Sequence, residues 1–304
     1  MNELNVKIDR FFNEESINEL ISASEDDLAM QTDAPIREIV KRSGMRALLV
    51  DGPSCSGKSG FSALLQKKMT EQGILSKVIS LTSFLKNESE YKEDCKKKGL
   101  KPNLSSLDAL DFEYFEECLT LIKTGETALL PYYDRKNGVR RELIPFTLRE
   151  GQVLILEGNG ISSAAIKPLL EGFSTVTVEV ELNRTYNSNV GRFSANDLRI
   201  ARRFVRDGCL YGYPAERIYG DLETERAQAR KYGTKKESAY DFSVDTTMAY
   251  EPLVLKKELH KVLGSVKSDS RYYASSSKFL SRLDTVPELD CSVLPEGSFY
   301  RTFL

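Results

Sequence analysis

The chain has 304 residues, of which 40% are apolar and 29% are charged, proportions that are ordinary for a globular protein. Its 43 basic and 45 acidic residues nearly cancel, so no overall field favours a nucleic acid or a membrane surface as partner. The sequence contains no apolar run of about eighteen residues, and its start lacks the pattern of a signal peptide. Five cysteines without regular spacing and a single histidine disfavour a disulfide framework and a zinc site, and they predict reduced thiols in the cytoplasm.

The chain begins with a segment that is predicted to be helical and peripheral. Residues 1–44 form this N-terminal extension, residues 45–266 the main domain, and residues 267–304 a C-terminal tail that packs on the main domain. Two short apolar stripes at helical spacing mark the extension: Ile17, Leu20 and Ile21, then Ile36, Ile39 and Val40.

The most informative segment follows a predicted buried strand at residues 47–50. Residues 52–59 read Gly-Pro-Ser-Cys-Ser-Gly-Lys-Ser, a full G-x-x-x-x-G-K-[ST] pattern, and an amphipathic helix follows. Glycines allow the backbone N–H groups to surround a phosphate, and the helix N-terminus adds partial positive charge. Lys58 is predicted to reach the β and γ phosphates, and the Ser59 hydroxyl to bind Mg²⁺. The pattern therefore predicts that the chain binds a nucleoside triphosphate through Gly52, Ser54, Cys55, Ser56, Gly57, Lys58, Ser59 and Gly60.

Apolar strands then alternate with amphipathic helices. The clearest later strands are predicted at residues 77–81, 127–131, 153–156 and 175–180, and the clearest helix at 108–123. This alternation predicts an α/β fold with a parallel sheet flanked by helices, of the P-loop NTPase type. The charged stretch 86–101 lacks periodicity and is predicted to be a mobile loop or lid, and a last helix is predicted at 278–283.

An acidic residue at the end of the buried strand at 153–156 is a second functional signal. In P-loop proteins a later strand of this kind delivers a carboxylate beside the Mg²⁺ ion. We expect Glu157 to hold the water shell of the ion or to orient the attacking hydroxyl. The alternative is a glutamate that ends a strand and faces solvent.

A basic segment at residues 196–207 is the third signal. Helical spacing places Arg199, Arg206 and one of Arg202 and Arg203 on one face. Guanidinium groups match the oxygens of a triphosphate and the charge that develops during phosphoryl transfer. An ordinary solvated basic face explains the same spacing, and the residues alone leave both readings open.

The fourth signal is a strand that runs into a charged turn at residues 131–140. Tyr133 and Asp134 are candidates to contact a sugar or a base, and Arg140 is a candidate to contact a phosphate. A structural hairpin is equally compatible with this pattern.

Together these segments resemble the phosphoribulokinase/uridine kinase family of P-loop kinases, in particular its uridine kinase-like branch. The likeness runs from about residue 36 to the C-terminus and includes the segments 107–114, 130–134, 156–158, 202–207, 212–216, 244–247 and 298–303. The resemblance implies a nucleoside-kinase-like fold and transfer of the ATP γ-phosphoryl group, with Mg²⁺, to a hydroxyl of a nucleoside or sugar phosphate. It also implies phosphate- or metal-handling roles for Lys58, Ser59, Glu157, Arg202 and Arg206.

The chain departs from the family pattern on the side of the phosphate acceptor. Thr82 stands where the family has an aspartate that accepts the proton of the acceptor hydroxyl, and a threonine cannot act as a base near neutral pH. Asn103 replaces an acidic residue, the histidine that follows the Tyr-Asp strand is missing, and Tyr211 replaces an arginine. The carboxylates that could substitute for the base are Asp108, Asp111 and Asp134.

The sequence thus predicts an ATP- and Mg²⁺-dependent kinase for a small hydroxylated acceptor, with a uridine-like nucleoside as the default and a homo-oligomer as a compatible state. Lys58 and Arg206 are the predicted catalytic residues. The alternative is a catalytically degenerate ATP-binding protein with a structural or regulatory role. A GTPase is disfavoured because the chain has no N-K-x-D pattern. The predicted acceptor contacts are Thr82, Asp108, Tyr133, Asp134, Arg140 and Arg199.

Overall fold

A computed structural model describes residues 2–6, 14–189, 191–232 and 239–304. The strands are β1 (Asn2–Val6), β2 (Met45–Asp51), β3 (Ser76–Ser80), β4 (Ala128–Asp134), β5 (Val139–Phe146), β6 (Val153–Glu157), β7 (Phe173–Glu181), β8 (Arg184–Ser188), β9 (Arg192–Phe193) and β10 (Phe242–Asp245). The helices are α1 (Glu14–Met30), α2 (Asp33–Lys41), α3 (Lys58–Glu71), α4 (Glu88–Lys97), α5 (Phe112–Thr124), α6 (Ala195–Val205), α7 (Ala215–Tyr232), α8 (Glu251–Leu263) and α9 (Tyr273–Leu283).

The centre of the fold is a parallel sheet of five strands in the order β10-β7-β2-β6-β3. Strands β2 and β6 lie inside it, and their apolar residues are buried because helices cover both faces. The register pairs Val50 of β2 and Ser80 of β3 with Glu157 of β6. The carboxyl ends of three neighbouring strands therefore meet at one edge, and the predicted α/β fold with its parallel sheet is confirmed.

Two further sheets lie outside this core sheet. Strands β4 and β5 form an antiparallel hairpin, so the strand predicted at 127–131 belongs to a separate ribbon. Strand β1 pairs in parallel with β8, which in turn pairs antiparallel with β9. Residues 2–6 were expected to be helical, and they form a strand because the exposed edge of β8 supplies the pairing partner.

The N-terminal extension is also less peripheral than its sequence predicts. Residues 1 and 7–13 lie outside the described part of the chain, whereas α1 and α2 contribute to the main hydrophobic core. Ile36 and Ile39 of α2 are 1% and 0% exposed, because this helix packs against β7 and β2. The extension therefore helps to cover one face of the central sheet.

The charged stretch at 86–101 contains a helix, where the sequence predicted a loop or lid without regular structure. In α4, Tyr91 and Cys95 lie four residues apart and form its narrow buried face. Salt bridges between residues four apart, such as that between Lys97 and Glu93, support the exposed faces. Two apolar positions gave too little periodicity for the helix to be recognised in the sequence.

A fully buried ion pair holds helix α6 to the rest of the core. The Arg202 side chain is 0% exposed, with Nε 2.7 Å from Oε1 of Glu251 and Nη2 2.8 Å from Oε2. Its remaining donors reach Thr246, through Nη1 to Oγ1 at 3.1 Å and Nη2 to the carbonyl oxygen at 2.6 Å. The guanidinium also lies 5.0 to 5.6 Å from the ring centroids of Phe303, Tyr300 and Phe299. One charge thus connects α6, α8 and the C-terminal tail.

Replacing Glu251 with Gln should destabilise the fold strongly, because Arg202 would keep its charge in a buried site without a counter-ion. We expect Glu251→Gln to lower the free energy of unfolding by about 3–5 kcal/mol, measured by urea denaturation. Lys97→Ala, which breaks the exposed pair with Glu93, is the control and should have a much smaller effect. Equal effects of the two substitutions would contradict this account.

Candidate functional site

A cavity of about 560 Å³ opens at the carboxyl edge of the central sheet. Its volume falls in the range of roughly 300–1,000 Å³ that is usual for small-ligand sites. The walls come from residues 54–60, the segment after β3, the end of β6, the hairpin β4–β5, the turn after α6 and the end of the C-terminal tail. Distant segments of the chain therefore meet around one space.

The phosphate-binding loop at residues 52–59 has the curled backbone that its glycines predict. Gly52 has φ of 146° and Gly57 has φ of 100°, values in the region that favours glycine. A Cβ atom on Gly52 would lie 2.1 Å from the carbonyl oxygen of Val180, so no side chain fits there. Cys55 also has a positive φ, of 62°, and is buried as the predicted small filler of the loop.

The Lys58 side chain crosses back over this loop. Its Nζ donates to the carbonyl oxygens of Gly52 at 2.8 Å and Pro53 at 2.9 Å. Burial in the cleft lowers the pKa of Lys58 below its ordinary value, and the nearby carboxylates of Glu157 and Asp51 oppose this effect. The ammonium group therefore lies at the mouth of the loop, held by acceptors that an incoming anion can replace.

Ser59 in the first turn of α3 and Glu157 at the end of β6 come together. The Ser59 hydroxyl donates to Oε1 of Glu157 at 3.1 Å, and Glu157 is only 5% exposed. Oxygen ligands of this kind suit Mg²⁺, so the pair fits the ion that the sequence predicts here. Within the described ranges, no group of three or more His, Cys, Asp or Glu residues forms a metal site. An ion at this pair would therefore take most of its ligands from water and phosphate.

Asp51 is a site residue that the sequence reasoning missed. Its carboxylate accepts the backbone N–H groups of Gly52 at 2.7 Å, Gly160 at 2.8 Å and Ser162 at 3.0 Å. It thereby ties the loop after β6 to the start of the phosphate-binding loop. The only signal in the sequence was an acidic residue directly before the glycine motif.

Of the four arginines in the basic segment, Arg206 lines the cavity. Its Nε lies 2.8 Å from Oδ1 of Asp207, and its guanidinium carbon lies 5.6 Å from the Tyr211 ring centroid. These contacts hold the positive group in the cavity wall. Arg206 is therefore placed where it can reach a ligand, and its catalytic role stays a prediction.

The other three arginines lie behind the loop or in the core. Arg199 donates to the Ser54 carbonyl oxygen at 3.2 Å, and Arg203 donates to the Ser54 hydroxyl at 2.9 Å. Arg202 is the buried partner of Glu251 and does not line the cavity. Contact with a nucleotide was expected of Arg202 and contact with the acceptor of Arg199, whereas both side chains support the loop or the core. The reason is that carboxylate and carbonyl acceptors already occupy these guanidinium groups.

The predicted acceptor contacts divide in the same way. Thr82, Tyr133 and Asp134 line the cavity, whereas Asp108 and Arg140 do not. Asp108 is exposed and lies within a short helical turn, Leu107–Ala109. Arg140 instead forms an ion pair with Asp111, with Nη2 2.8 Å from Oδ2.

Neither Thr82 nor Asp134 is free of local partners. The Ser80 hydroxyl donates to Oγ1 of Thr82 at 3.0 Å. Asp134 accepts from Asn137 Nδ2 at 2.6 Å and its backbone N at 3.1 Å, and lies 2.9 Å from Nε of Arg141. Hydrogen bonds from Asn137 hold the pKa of the Asp134 carboxyl below its usual value. Asp134 therefore already serves to shape the turn of the hairpin.

The C-terminal tail is part of the site, which the sequence did not predict. The Phe299 ring packs under the phosphate-binding loop so closely that a Cβ on Gly57 or Gly60 would lie 2.5 Å from it. Thr302 and Phe303 form part of the cavity wall. Glu25 of α1 accepts hydrogen bonds from the Ser298 hydroxyl and the Phe299 backbone N–H, and so fixes the tail.

Removing the Phe299 ring should loosen the phosphate-binding loop. We expect Phe299→Ala to destabilise the fold by about 3–5 kcal/mol and to increase amide hydrogen exchange at residues 52–62. The control is Phe279→Ala, which removes a ring on α9 that packs against Phe193. It should leave exchange in the loop unchanged, and a similar increase in both variants would contradict the support role.

Comparison with known proteins identifies the family. The model of the phosphoribulokinase/uridine kinase family matches residues 48–249. A putative fructose transport system kinase from Silicibacter sp. TM1040 shares the fold, with a TM-score of 0.52 and 18% identity over 71% of this chain and 98% of that one. The YGR205w protein has a TM-score of 0.50 and 13% identity over 75% and 94%.

These identities are low, so the two solved structures show a shared fold alone. No curated protein matches the sequence. The family match covers more than half of the chain and includes the phosphate-binding loop, Glu157 and Arg206. The chain therefore belongs to the phosphoribulokinase/uridine kinase family.

Proposed function

We propose that this protein is a kinase that transfers the γ-phosphoryl group of ATP to a hydroxyl of a small acceptor. The observation that carries the proposal is the meeting of Lys58, Ser59 and Glu157 at the mouth of one cavity. Family membership supports a phosphotransferase. No helix in the described ranges is long and apolar enough to cross a membrane. Five free cysteines support our further proposal that the protein acts in the cytoplasm.

Each residue of the cleft would have a separate role in phosphoryl transfer, according to its position. Lys58 would exchange its two carbonyl acceptors for β- and γ-phosphate oxygens of ATP. Arg206, in the opposing wall, would stabilise the negative charge that develops on the transferring group. Ser59 and Glu157 would hold Mg²⁺, which when bound neutralises charge on the phosphates.

Because Thr82 stands where a base is expected, the proposed transfer has to proceed without a dedicated general base. Phosphoryl transfer with a loose transition state depends mainly on positioning and charge. The acceptor hydroxyl would bond to the γ-phosphorus as the bond to the bridging oxygen of ADP breaks, and its proton would then pass to a phosphoryl oxygen or to water. The Tyr133 hydroxyl is buried in the cavity wall and has no hydrogen-bond partner among the described residues. We propose that it donates to an oxygen of the acceptor, since burial raises the pKa of Tyr133 to about 12 and keeps it protonated. A uridine-like nucleoside is the default acceptor.

The second candidate is an ATP-binding protein without significant kinase activity. It is favoured by the residues near the expected base position: Thr82 cannot act as a base and accepts a hydrogen bond from Ser80, and the Asp134 carboxylate is already bound by Asn137 and Arg141. A positioned general base typically contributes about 10²–10⁴-fold to a rate, so its loss can reduce turnover to an insignificant level. Such a protein would use ATP as a structural or regulatory ligand.

Acceptor-dependent release of ADP tests the kinase directly. The acceptor panel contains nucleosides, sugar phosphates and hydroxylated acids, with ATP and Mg²⁺ in excess. We expect turnover with one class of acceptor and a loss of about 10²–10³-fold in Lys58→Ala. Lys67→Ala changes an exposed lysine on the same helix and should retain full activity. Turnover that survives in Lys58→Ala would refute the proposed site.

Thr82→Asp separates the two candidates. If the protein binds ATP but turns over no acceptor, a gain of about 10²-fold or more in Thr82→Asp would identify a degenerate kinase. Thr82→Asn, which is similar in size but cannot act as a base, is the control. A wild-type protein that binds no ATP by calorimetry would exclude both candidates.

A further inference from the structure

Arg135 is a positively charged residue of the cavity wall, and neither the sequence nor the proposed function assigns it a role. It lies in the turn between β4 and β5, directly after Asp134, and it is partly buried. Its guanidinium forms no hydrogen bond or ion pair with the residues that the structure describes, and its central carbon lies 5.8 Å from the centroid of the Tyr211 ring. Partly buried arginines usually have an anionic or carbonyl partner, so this one is available to a ligand.

The surrounding carboxylates are already occupied. Asp207 pairs with both Arg203 and Arg206, and Glu225 pairs with Arg203, whose Nη1 lies 3.0 Å from Oε1. The Ser105 hydroxyl also donates to Glu225, at 2.8 Å. In the wall of the main cavity, which Arg135 also lines, four basic side chains face two carboxylates, so this wall carries an excess of positive charge: Lys58, Arg135, Lys136 and Arg206 against Asp134 and Glu157.

Arg135 and Arg206 face the same aromatic ring. Their guanidinium carbons lie 5.8 Å and 5.6 Å from the Tyr211 centroid. Burial lowers the pKa of Arg135, and repulsion from Arg206 lowers it further. An anion bound at Arg135 would offset this repulsion.

The position of Arg135 separates it from the phosphate-binding loop. It lines the main cavity and also a second cavity of about 250 Å³, and the second cavity has no wall from residues 52–60. The Tyr213 hydroxyl donates to the Arg135 carbonyl oxygen at 2.7 Å and fixes the backbone at this junction. A ligand group at Arg135 therefore lies toward the hairpin, where the acceptor is expected, and Tyr133 adds its unpartnered, buried hydroxyl to the same wall.

We propose that the acceptor carries an anionic group, a carboxylate or a phosphate monoester, and that Arg135 binds this group. This inference rests on the proposed kinase function and changes the expected acceptor from a neutral nucleoside to an anionic, hydroxylated molecule. Arg135 is then a specificity-determining residue, because it binds a part of the acceptor that does not react. Removing a charge-assisted contact of this kind typically weakens binding by roughly 10- to 100-fold.

Matched neutral and charged ligands test this inference without requiring turnover. The probes are ribose with ribonate and ribose 5-phosphate, and uridine with uridine 5′-phosphate. Calorimetry measures their binding to the full chain, with and without ADP and Mg²⁺. We expect a charged probe to bind at least tenfold more tightly than its neutral partner, and whichever of ribonate and the phosphate esters gains the advantage identifies the anion.

The variant Arg135→Ala should abolish this advantage and leave the affinity for ADP unchanged. Arg149→Ala, which removes an exposed arginine beyond β5, is the charge control and should keep the advantage. If no charged probe exceeds its neutral partner, or if Arg135→Ala weakens ADP binding by the same factor, the inference is overturned. Charge-dependent binding at Arg135 without any ADP release would instead refute the kinase function and leave the anion site standing.

Discussion

A charge that is fully buried must be compensated, and the way in which this chain compensates Arg202 organises the site. Glu251 supplies the counter-charge, and Thr246 accepts the remaining hydrogen bonds. The Thr246 hydroxyl in turn donates to the carbonyl oxygen of Ser56 at 2.5 Å. The same guanidinium is enclosed by the aromatic tail, whose Phe299 supports the loop from below. The phosphate-binding loop is therefore supported by Arg202, Thr246 and Phe299, none of which lines the cavity.

This arrangement leaves the two ends of the cavity with different chemistry. At the loop, Lys58, Ser59 and Glu157 form a compact group of the kind that binds ATP and Mg²⁺ throughout the P-loop proteins. Elsewhere in the cavity wall, Thr82 follows β3 at the position where the family resemblance implies a base, and Arg135 in the hairpin turn adds a positive side chain. We propose that the family's nucleotide chemistry is combined here with an acceptor region that differs from that of a uridine kinase. An anionic acceptor is consistent with this difference.

Much of the fold and the loop could be predicted because the information is local in the sequence. The loop lies in eight consecutive residues. A buried parallel strand that ends in Glu157 brings this residue to the same edge of the sheet as the loop, because the carboxyl ends of β2 and β6 lie side by side. Helical spacing left open which of Arg202 and Arg203 shares the face of Arg206, and the buried position of Arg202 depends on Glu251, which follows it by 49 residues. The contact of Phe299 with the loop is more distant still. Arg135 escaped notice because its importance lies in the partners that it lacks, which only the folded chain shows.

The central claim is that Ser59 and Glu157 hold Mg²⁺ beside ATP in this cavity, and it can be tested by measuring ATP affinity with and without Mg²⁺ by calorimetry. We expect Mg²⁺ to strengthen ATP binding in the wild-type protein, and Glu157→Gln to reduce that gain by roughly 10- to 100-fold, the usual effect of changing a residue that orients the ligands of an ion. ATP binding without Mg²⁺ should stay nearly the same in the variant. A gain from Mg²⁺ that is equal in both proteins would contradict the account.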